Sequence, residues 1–226
     1  MNNPLVSVII PTVGEKTLLD CVNAVHHSTY ENIEIIVVRE GLERSAQRNI
    51  GIDRAKGEYL LILDSDMLIS SYLIKDCVAK IKRAGGVYLQ ERIITKGWFG
   101  RLRDWERQFY TGTLVDVVRF VRRKDCPRFD EEQHGTEDSD WDRLITGKKV
   151  VSDYCYDHKD NIGLIDYLKK KAYYAKSLGK YSIKNPDDRL LTFRYRCVQV
   201  FIENGKWKRL LTKPHYALGV ALLLLA

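Results

Sequence analysis

The residues best placed to do chemistry are Asp64 and Asp66, one serine apart at the end of the apolar run Tyr59 to Leu63. That run is long enough for one buried strand, and in a strand residues i and i+2 share a face. A turn at its end lets both carboxylates converge on one point outside the sheet. Two close carboxylates repel unless something positive lies between them. A hard divalent cation that keeps waters and also takes substrate phosphates meets that need. The plainer alternative is that Asp66 only caps a following helix. A second acidic pair, Glu137-Asp138, follows Gly135-Thr136 and precedes a helical pattern with Trp141, Leu144 and Ile145. Thr136 suits the N-cap, and acids in a first helical turn are favoured by the dipole, so ordinary capping accounts for this pair too.

These groups need a frame. Leu5 to Ile10 is a β-rich run ending at Pro11-Thr12, and Glu15 to His27 has helical spacing. Ile33 to Val38, nearly all β-branched, predicts a strand buried on both faces. Ser45 to Ala55 predicts a helix stopped by Gly57, and the strand to Leu63 follows. Ser70 or Ser71 is expected to cap a helix through Ile81, and Val87 to Gln90 predicts a short strand. Strand, helix, strand, helix, strand is the pattern of a mainly parallel sheet flanked by helices. Ligands bind such sheets outside the carboxyl ends of the strands. Three polar groups fall there: Pro11-Thr12, Arg39-Glu40 and Asp64-Ser65-Asp66. No Gly-x-Gly-x-x-Gly follows the first strand and no Gly-Lys-Ser/Thr loop exists, so phosphate charge must be met by metal and side chains.

The 226 residues suit one large α/β domain with or without an appendage, and 45% hydrophobic content can fill its core. The formal net charge of +7 points to polyanionic partners: nucleic acid, nucleotide phosphates or an anionic membrane surface. Five scattered cysteines with no Cys-x-x-Cys argue against zinc and against a disulfide scaffold.

Four segments in order, Val6-Ser-Val-Ile-Ile-Pro-Thr12, Glu34-Ile-Ile-Val-Val38, Gln47-Arg-Asn-Ile-Gly51 and Ala55-Lys-Gly-Glu-Tyr59 leading into Asp64-Ser-Asp66, resemble family 2 glycosyltransferases of the glycosyltransferase-A (GT-A, Rossmann-like) fold. The spacing agrees over residues 5 to 70. The resemblance implies a nucleotide-diphospho-sugar donor, bound by Pro11, Thr12, Glu40, Arg48, Asp64, Ser65 and Asp66. It implies Mn²⁺ or Mg²⁺ at Asp66, with Asp64 beside it and His158 touching metal or diphosphate. Thr136-Glu137-Asp138 resembles the motif of cellulose-synthase-like members, in which the aspartate is the general base; Asp138 then takes the acceptor proton and Glu137 orients the acceptor. Relatives with Asp-Asp-Gly after the second strand read the base with the second aspartate, where this chain has Arg39-Glu40-Gly41. A glutamate accepts two parallel hydrogen bonds, which guanine offers and uracil does not, so GDP-mannose is the expected donor; the plainer alternative is that Glu40 only pairs with Arg44 on the next helix. The Gln-x-x-Arg-Trp of processive relatives is absent, so addition of a single sugar is expected.

Gly97 to Tyr110 puts Trp98, Leu102, Trp105 and Phe109 on one helical stripe with Arg101, Arg103 and Arg107 around it, the composition of a helix lying in a membrane interface with its arginines to the headgroups; an ordinary amphipathic helix packing on the sheet is the alternative. Val115 to Val121, ending in Arg122-Arg123-Lys124, Lys169 to Lys171 with Tyr173 and Tyr174, and Arg189 to Ile202 extend that expectation. Lys206-Trp-Lys-Arg209 precedes the apolar run from Tyr216 to Ala226, which is expected to begin a transmembrane helix with the catalytic part on the cytoplasmic side. A helix packing into the protein's own groove is the alternative. The expected organisation is a catalytic domain over residues 1–190, with a nucleotide-sugar half (1–95) and an acceptor half (96–190), followed by an amphipathic and anchoring segment (191–226). The expected acceptor is a polyprenol- or dolichol-linked sugar at a membrane lipid surface, and no nucleic-acid partner is expected. A dolichyl-phosphate sugar synthase, a UDP-sugar-dependent transferase, a nucleotidyltransferase and a non-catalytic membrane module are the competing readings. Dense charge and few Asn-Gly pairs fit a thermophilic, archaeal source.

Overall fold

The computed structural model describes residues 3–133, 135–160 and 163–225. Seven strands form one sheet: β1 (Val6–Pro11), β2 (Ile33–Val38), β3 (Tyr59–Ile62), β4 (Met67–Ile69), β5 (Gly86–Ile94), β6 (Val118–Arg122) and β7 (Lys149–Lys159), in the order β2-β1-β3-β6-β5-β7-β4. The first three pair in parallel, as does β5 with β7, while β6 and β4 run the other way. The sheet is therefore mixed. At one rim the carboxyl ends of β1, β2, β3, β5 and β7 meet the starts of β6 and β4.

Alternation along β1 explains the layers. Val6, Val8 and Ile10 face one core with α1 (Leu18–His26) and α3 (Leu73–Ile81); Ile9 faces the other with α2 (Arg44–Arg54) and α5 (Glu137–Leu144). Gly51 lets α2 lie directly on β1, because a Cβ there would sit 2.2 Å from Ile9 Cγ2. Two strand expectations are corrected. β2 is an edge strand and most of it is only half-buried, because its apolar content covers one neighbour rather than two. Val118–Arg122, expected as part of an interfacial surface, is a central strand between β3 and β5, with Val118, Phe120 and Val121 buried.

Only residues 63–66 join β3 to β4, although four strand spacings, about 19 Å, separate them in the sheet order. The far half of the sheet must therefore curl back over the rim. Both β5 and β7 are long, and the register shift between Tyr88 and Gln90 supplies the bend. That curl brings the end of β7 against β4, with His158 opposite Met67.

α4 (Gly97–Tyr110) buries Leu102, Trp105 and Phe109 as its stripe predicts. The cover is protein. Tyr195, Val200 and Phe201, together with Tyr216, Val220 and Leu223 of α9 (Pro214–Leu225), complete a third apolar cluster. Gly219 makes the close approach, since a Cβ there would meet Leu102 and Trp98. Lys171, on the long helix α6 (Leu164–Lys184), donates to the Leu223 carbonyl at 2.7 Å, while the side chains of Tyr173 and Tyr174 lie outside the described residues. Among the described residues no helix is long and apolar enough to cross a membrane.

Candidate active site

At the rim, Arg48 gathers the acids. Its guanidinium is fully buried; Nη2 lies 2.9 Å from Asp64 Oδ1 and Nη1 lies 2.5 Å from Asp138 Oδ1. Arg119 closes the group from the other side, with Nη2 3.3 Å from Asp64 Oδ2 and 3.6 Å from Asp138 Oδ2. Two carboxylates 74 positions apart in sequence thus share the same two cations. Burial alone would raise the Asp64 carboxyl, but Arg119, Arg48 and Arg44 overcome it and hold the group well below the usual carboxylate range. Arg119 is displaced the opposite way: burial lowers it, yet Asp64 and Asp138 raise it above the ordinary arginine value. Reversed strand direction is what delivers Arg119, since the start of β6 lies at the same rim as the end of β3.

The motif Gln47 to Gly51 has a local explanation. Gln47 donates to the Thr12 carbonyl at 3.2 Å, and Asn49 pairs with both backbone groups of Phe129, at 3.0 and 2.9 Å. Phe129 lies under the Arg48 guanidinium at 5.0 Å and stacks on Trp141 with the rings 4.7 Å apart. Trp141 is one helical turn beyond Glu137 and Asp138, so this stack aims the first turn of α5 at Arg48. Arg48, expected among donor-binding residues, is buried beneath the acids and holds them from below. Thr136 is the N-cap residue of α5, but its hydroxyl is taken by Gln133 rather than by the helix. Glu137 is buried, 3.7 Å from both Arg44 and Arg48, and its Oε2 has no hydrogen-bond partner. Burial and neighbouring Asp138 raise its carboxyl despite the two arginines.

Asp66 belongs to a second group. His158 Nε2 lies 3.1 Å from Asp66 Oδ2, and Nδ1 lies 2.9 Å from Glu91 Oε1. Glu91 in turn accepts from Arg107 Nε of α4 at 2.6 Å. Hydrogen bonds to Asp66 and Glu91 push the imidazole up to about 10. Glu91 is drawn down to about 2, because Arg107 and His158 outweigh its burial.

The fit to a divalent cation follows from this donor set. An imidazole whose Nδ1 is engaged by a buried carboxylate presents Nε2 as a ligand, the arrangement usual for metal-binding histidines. Asp66 Oδ2 supplies an oxygen beside it, so Asp66 and His158 fit a cation whose other positions go to phosphate and water. Asp64 faces the arginines and not this pair. Among the described residues no group of three or more His, Cys, Asp or Glu side chains forms a closed metal cage.

The remaining expected residues divide. Pro11 ends β1, and the buried Thr12 hydroxyl bonds Glu15. Burial opposes ionisation of Glu15, yet hydrogen bonds from Thr12 and from the Val13 backbone N–H lower it; Ser65 is buried within the Asp64–Asp66 turn. Glu40 is not brought to the acids. Arg54, on the last turn of α2, takes both its oxygens at 2.9 and 3.3 Å and lowers its carboxyl to about 2. Arg54 lies six residues, about 9 Å of helix, beyond Arg48. Sequence reasoning missed Arg119, Glu91 and Arg107. Arg119 was legible only as the polar residue alternating within an apolar strand; Glu91 carried no signal of its own, and Arg107, expected to reach lipid headgroups, turns to Glu91 instead.

Residues 39–122 match Glycosyl transferase family 2. The matched segment contains Arg48, Asp64, Asp66, Glu91, Arg107 and Arg119; Asp138 and His158 follow it. The chain is 29% identical to "Glycosyltransferase GlyG" of Streptococcus pneumoniae, over 34% of this chain and 35% of that protein. It is also 29% identical to an uncharacterized glycosyltransferase of Haemophilus influenzae, over 31% of this chain and 40% of that one. The aligned part thus spans well under half the length of either relative. In fold the chain is similar to the crystal structure of S. aureus TarS 1-349, with a TM-score of 0.51, 15% identity, and coverage of 85% of this chain and 77% of that one. A structure of the same protein in complex with UDP gives a TM-score of 0.50 at 17% identity, covering 76% of this chain and 65% of that one. The GT-A-like fold expected from the sequence is the fold observed.

Proposed function

We propose that this chain is an inverting glycosyltransferase that uses a nucleotide-diphospho-sugar and a divalent cation. The observation that carries the reading is the shared clasp: Asp64 and Asp138 meet the same two guanidiniums at the rim where Asp66 and His158 also stand. In this reading Asp66 and His158 hold Mn²⁺ or Mg²⁺, which acts as a Lewis acid toward the departing diphosphate. Arg48 anchors Asp138 through Oδ1. Oδ2, beyond hydrogen-bond distance from Arg119, faces the acceptor. The acceptor hydroxyl oxygen forms the new bond to the anomeric carbon as the bond to the nucleoside diphosphate breaks, and Asp138 takes the hydroxyl proton. Buried Glu137, with one free oxygen, orients that hydroxyl.

GDP-mannose is the donor the Glu40 argument favours. Its engagement by Arg54 supports a second reading, a UDP-sugar, in line with the UDP complex of the TarS fold. For the acceptor we propose a lipid-linked sugar at the cytoplasmic membrane surface. Trp98, Trp207, Leu211, Leu218 and Leu222 are exposed beside the exposed cations Lys208, Arg209 and Lys213, a composition suited to anionic headgroups. The test is a screen of GDP- and UDP-sugars with Mn²⁺, read by thermal shift and by release of nucleoside diphosphate. Stabilisation by one donor class with slow release supports the reading; no response to any nucleotide-sugar counts against it.

A further inference from the structure

The contact between His158 and Glu91 assigns a role to residues outside the reacting groups. Glu91 is on β5 and His158 on β7, and the parallel register pairs Ile93 with His158, so Glu91, two residues earlier, projects from the same face as the imidazole. Its side chain is about nine-tenths buried. One oxygen meets His158 Nδ1 at 2.9 Å and the other accepts from Arg107 Nε at 2.6 Å. Arg107 rides on α4, whose opposite face is locked into the third apolar cluster by Leu102, Trp105 and Phe109. The carboxylate therefore has one orientation, fixed from behind, and the ring has one orientation, fixed by the carboxylate. With Nδ1 on Glu91, Nε2 points at Asp66 Oδ2, 3.1 Å away.

We propose that Glu91, backed by Arg107, is a positioning residue that sets His158 with Nδ1–H on the carboxylate and Nε2 aimed beside Asp66 as the second donor of the cation seat. This rests on the metal-dependent reading above. Outer partners of this kind are worth about 10–100-fold in metal affinity.

The test is Mn²⁺ binding to the full chain, without nucleotide, followed by electron paramagnetic resonance, with melting recorded for each variant. Asp66→Ala and His158→Ala should abolish the site. Paired replacement Glu91→Leu with Arg107→Met removes both buried charges together and avoids leaving either unpaired. It should still fold cooperatively, with melting lowered by the lost Glu91–His158 pair, while weakening Mn²⁺ binding about 10–100-fold. Glu91→Gln, whose amide oxygen still accepts from Nδ1, should retain more affinity than the paired variant. If the paired variant does not fold, Glu91→Gln alone decides, with a loss of about tenfold at the lower end of that range expected. Unchanged Mn²⁺ affinity in the folded Glu91 variants, with loss in Asp66→Ala, would overturn the role of Glu91 and leave the metal reading standing. Mn²⁺ binding that survives Asp66→Ala and His158→Ala would overturn the metal seat itself.

Discussion

Replacing Arg48 with methionine tests whether one buried cation holds the site together. Methionine keeps much of the stem, so packing on Phe129 is largely preserved while the charge is lost. The guanidinium is fully buried and serves Asp64 at 2.9 Å, Asp138 at 2.5 Å and Glu137 at 3.7 Å. Its removal leaves three carboxylates to Arg119 and Arg44 alone. Removing one partner of a buried ion pair costs about 3–5 kcal/mol, and at this chain length each kcal/mol is worth about 2–4 °C, so melting should fall by about 6–20 °C. The sign of the pH dependence is fixed as well. Asp64 is held below its unfolded value, so its contribution is present above about pH 3.9 and is lost as pH falls through the depressed value. The gap between parent and variant should therefore be widest near neutrality and narrow below about pH 4. Urea unfolding followed by tryptophan fluorescence across pH 3.5 to 7 measures it. A loss under about 1 kcal/mol, the size of an exposed pair, would refute the clasp.

Three further outcomes are expected. Asp138→Asn should lower sugar transfer by about 10²–10⁴-fold while donor affinity, measured by calorimetry, stays within a few-fold; normal turnover would remove Asp138 from the base role. In metal-free protein, the His158 imidazole is raised to about 10, so the stability from its pairs with Asp66 and Glu91 is full below about pH 6.5 and is lost as pH rises through about 10. His158→Gln should flatten this alkaline slope in a melting series, and an unchanged slope would assign it elsewhere. Gly51→Ala should cost about 1–3 kcal/mol despite alanine's better helix propensity, because the new Cβ meets Ile9 Cγ2 at 2.2 Å; a stabilised variant would show that α2 can lift off β1 freely.

Much of the first half was legible because its chemistry is local. Apolar runs bounded by Gly57 and by Pro11-Thr12 predict β1 and β3, and the Asp64–Asp66 turn falls at their carboxyl ends. What was misread depended on strand order, which local pattern does not encode. Val118–Arg122 has the same apolar-and-cationic composition whether it lies on a membrane or inside a sheet; its antiparallel insertion between β3 and β5 turns Arg119 into a partner of Asp64. The stripe on α4 was read correctly as apolar, but a stripe does not name its cover, and here α9 supplies it. The three-residue β4 is too short to show periodicity, yet its pairing with β7 is what sets His158 beside Asp66. Glu40 illustrates the reverse: its place after β2 was right, and a nearby arginine on α2 took the carboxylate that a base was expected to occupy.

Under the proposed function, acids at the carboxyl rim of the sheet hold a nucleoside diphosphate through a divalent cation. Calorimetric titration of UDP and GDP, with and without Mn²⁺, into the parent chain and Asp66→Ala tests it most directly. Binding of one of the two should require Mn²⁺ and disappear in Asp66→Ala. Equal binding of either nucleotide without Mn²⁺, unaffected by Asp66→Ala, would contradict it.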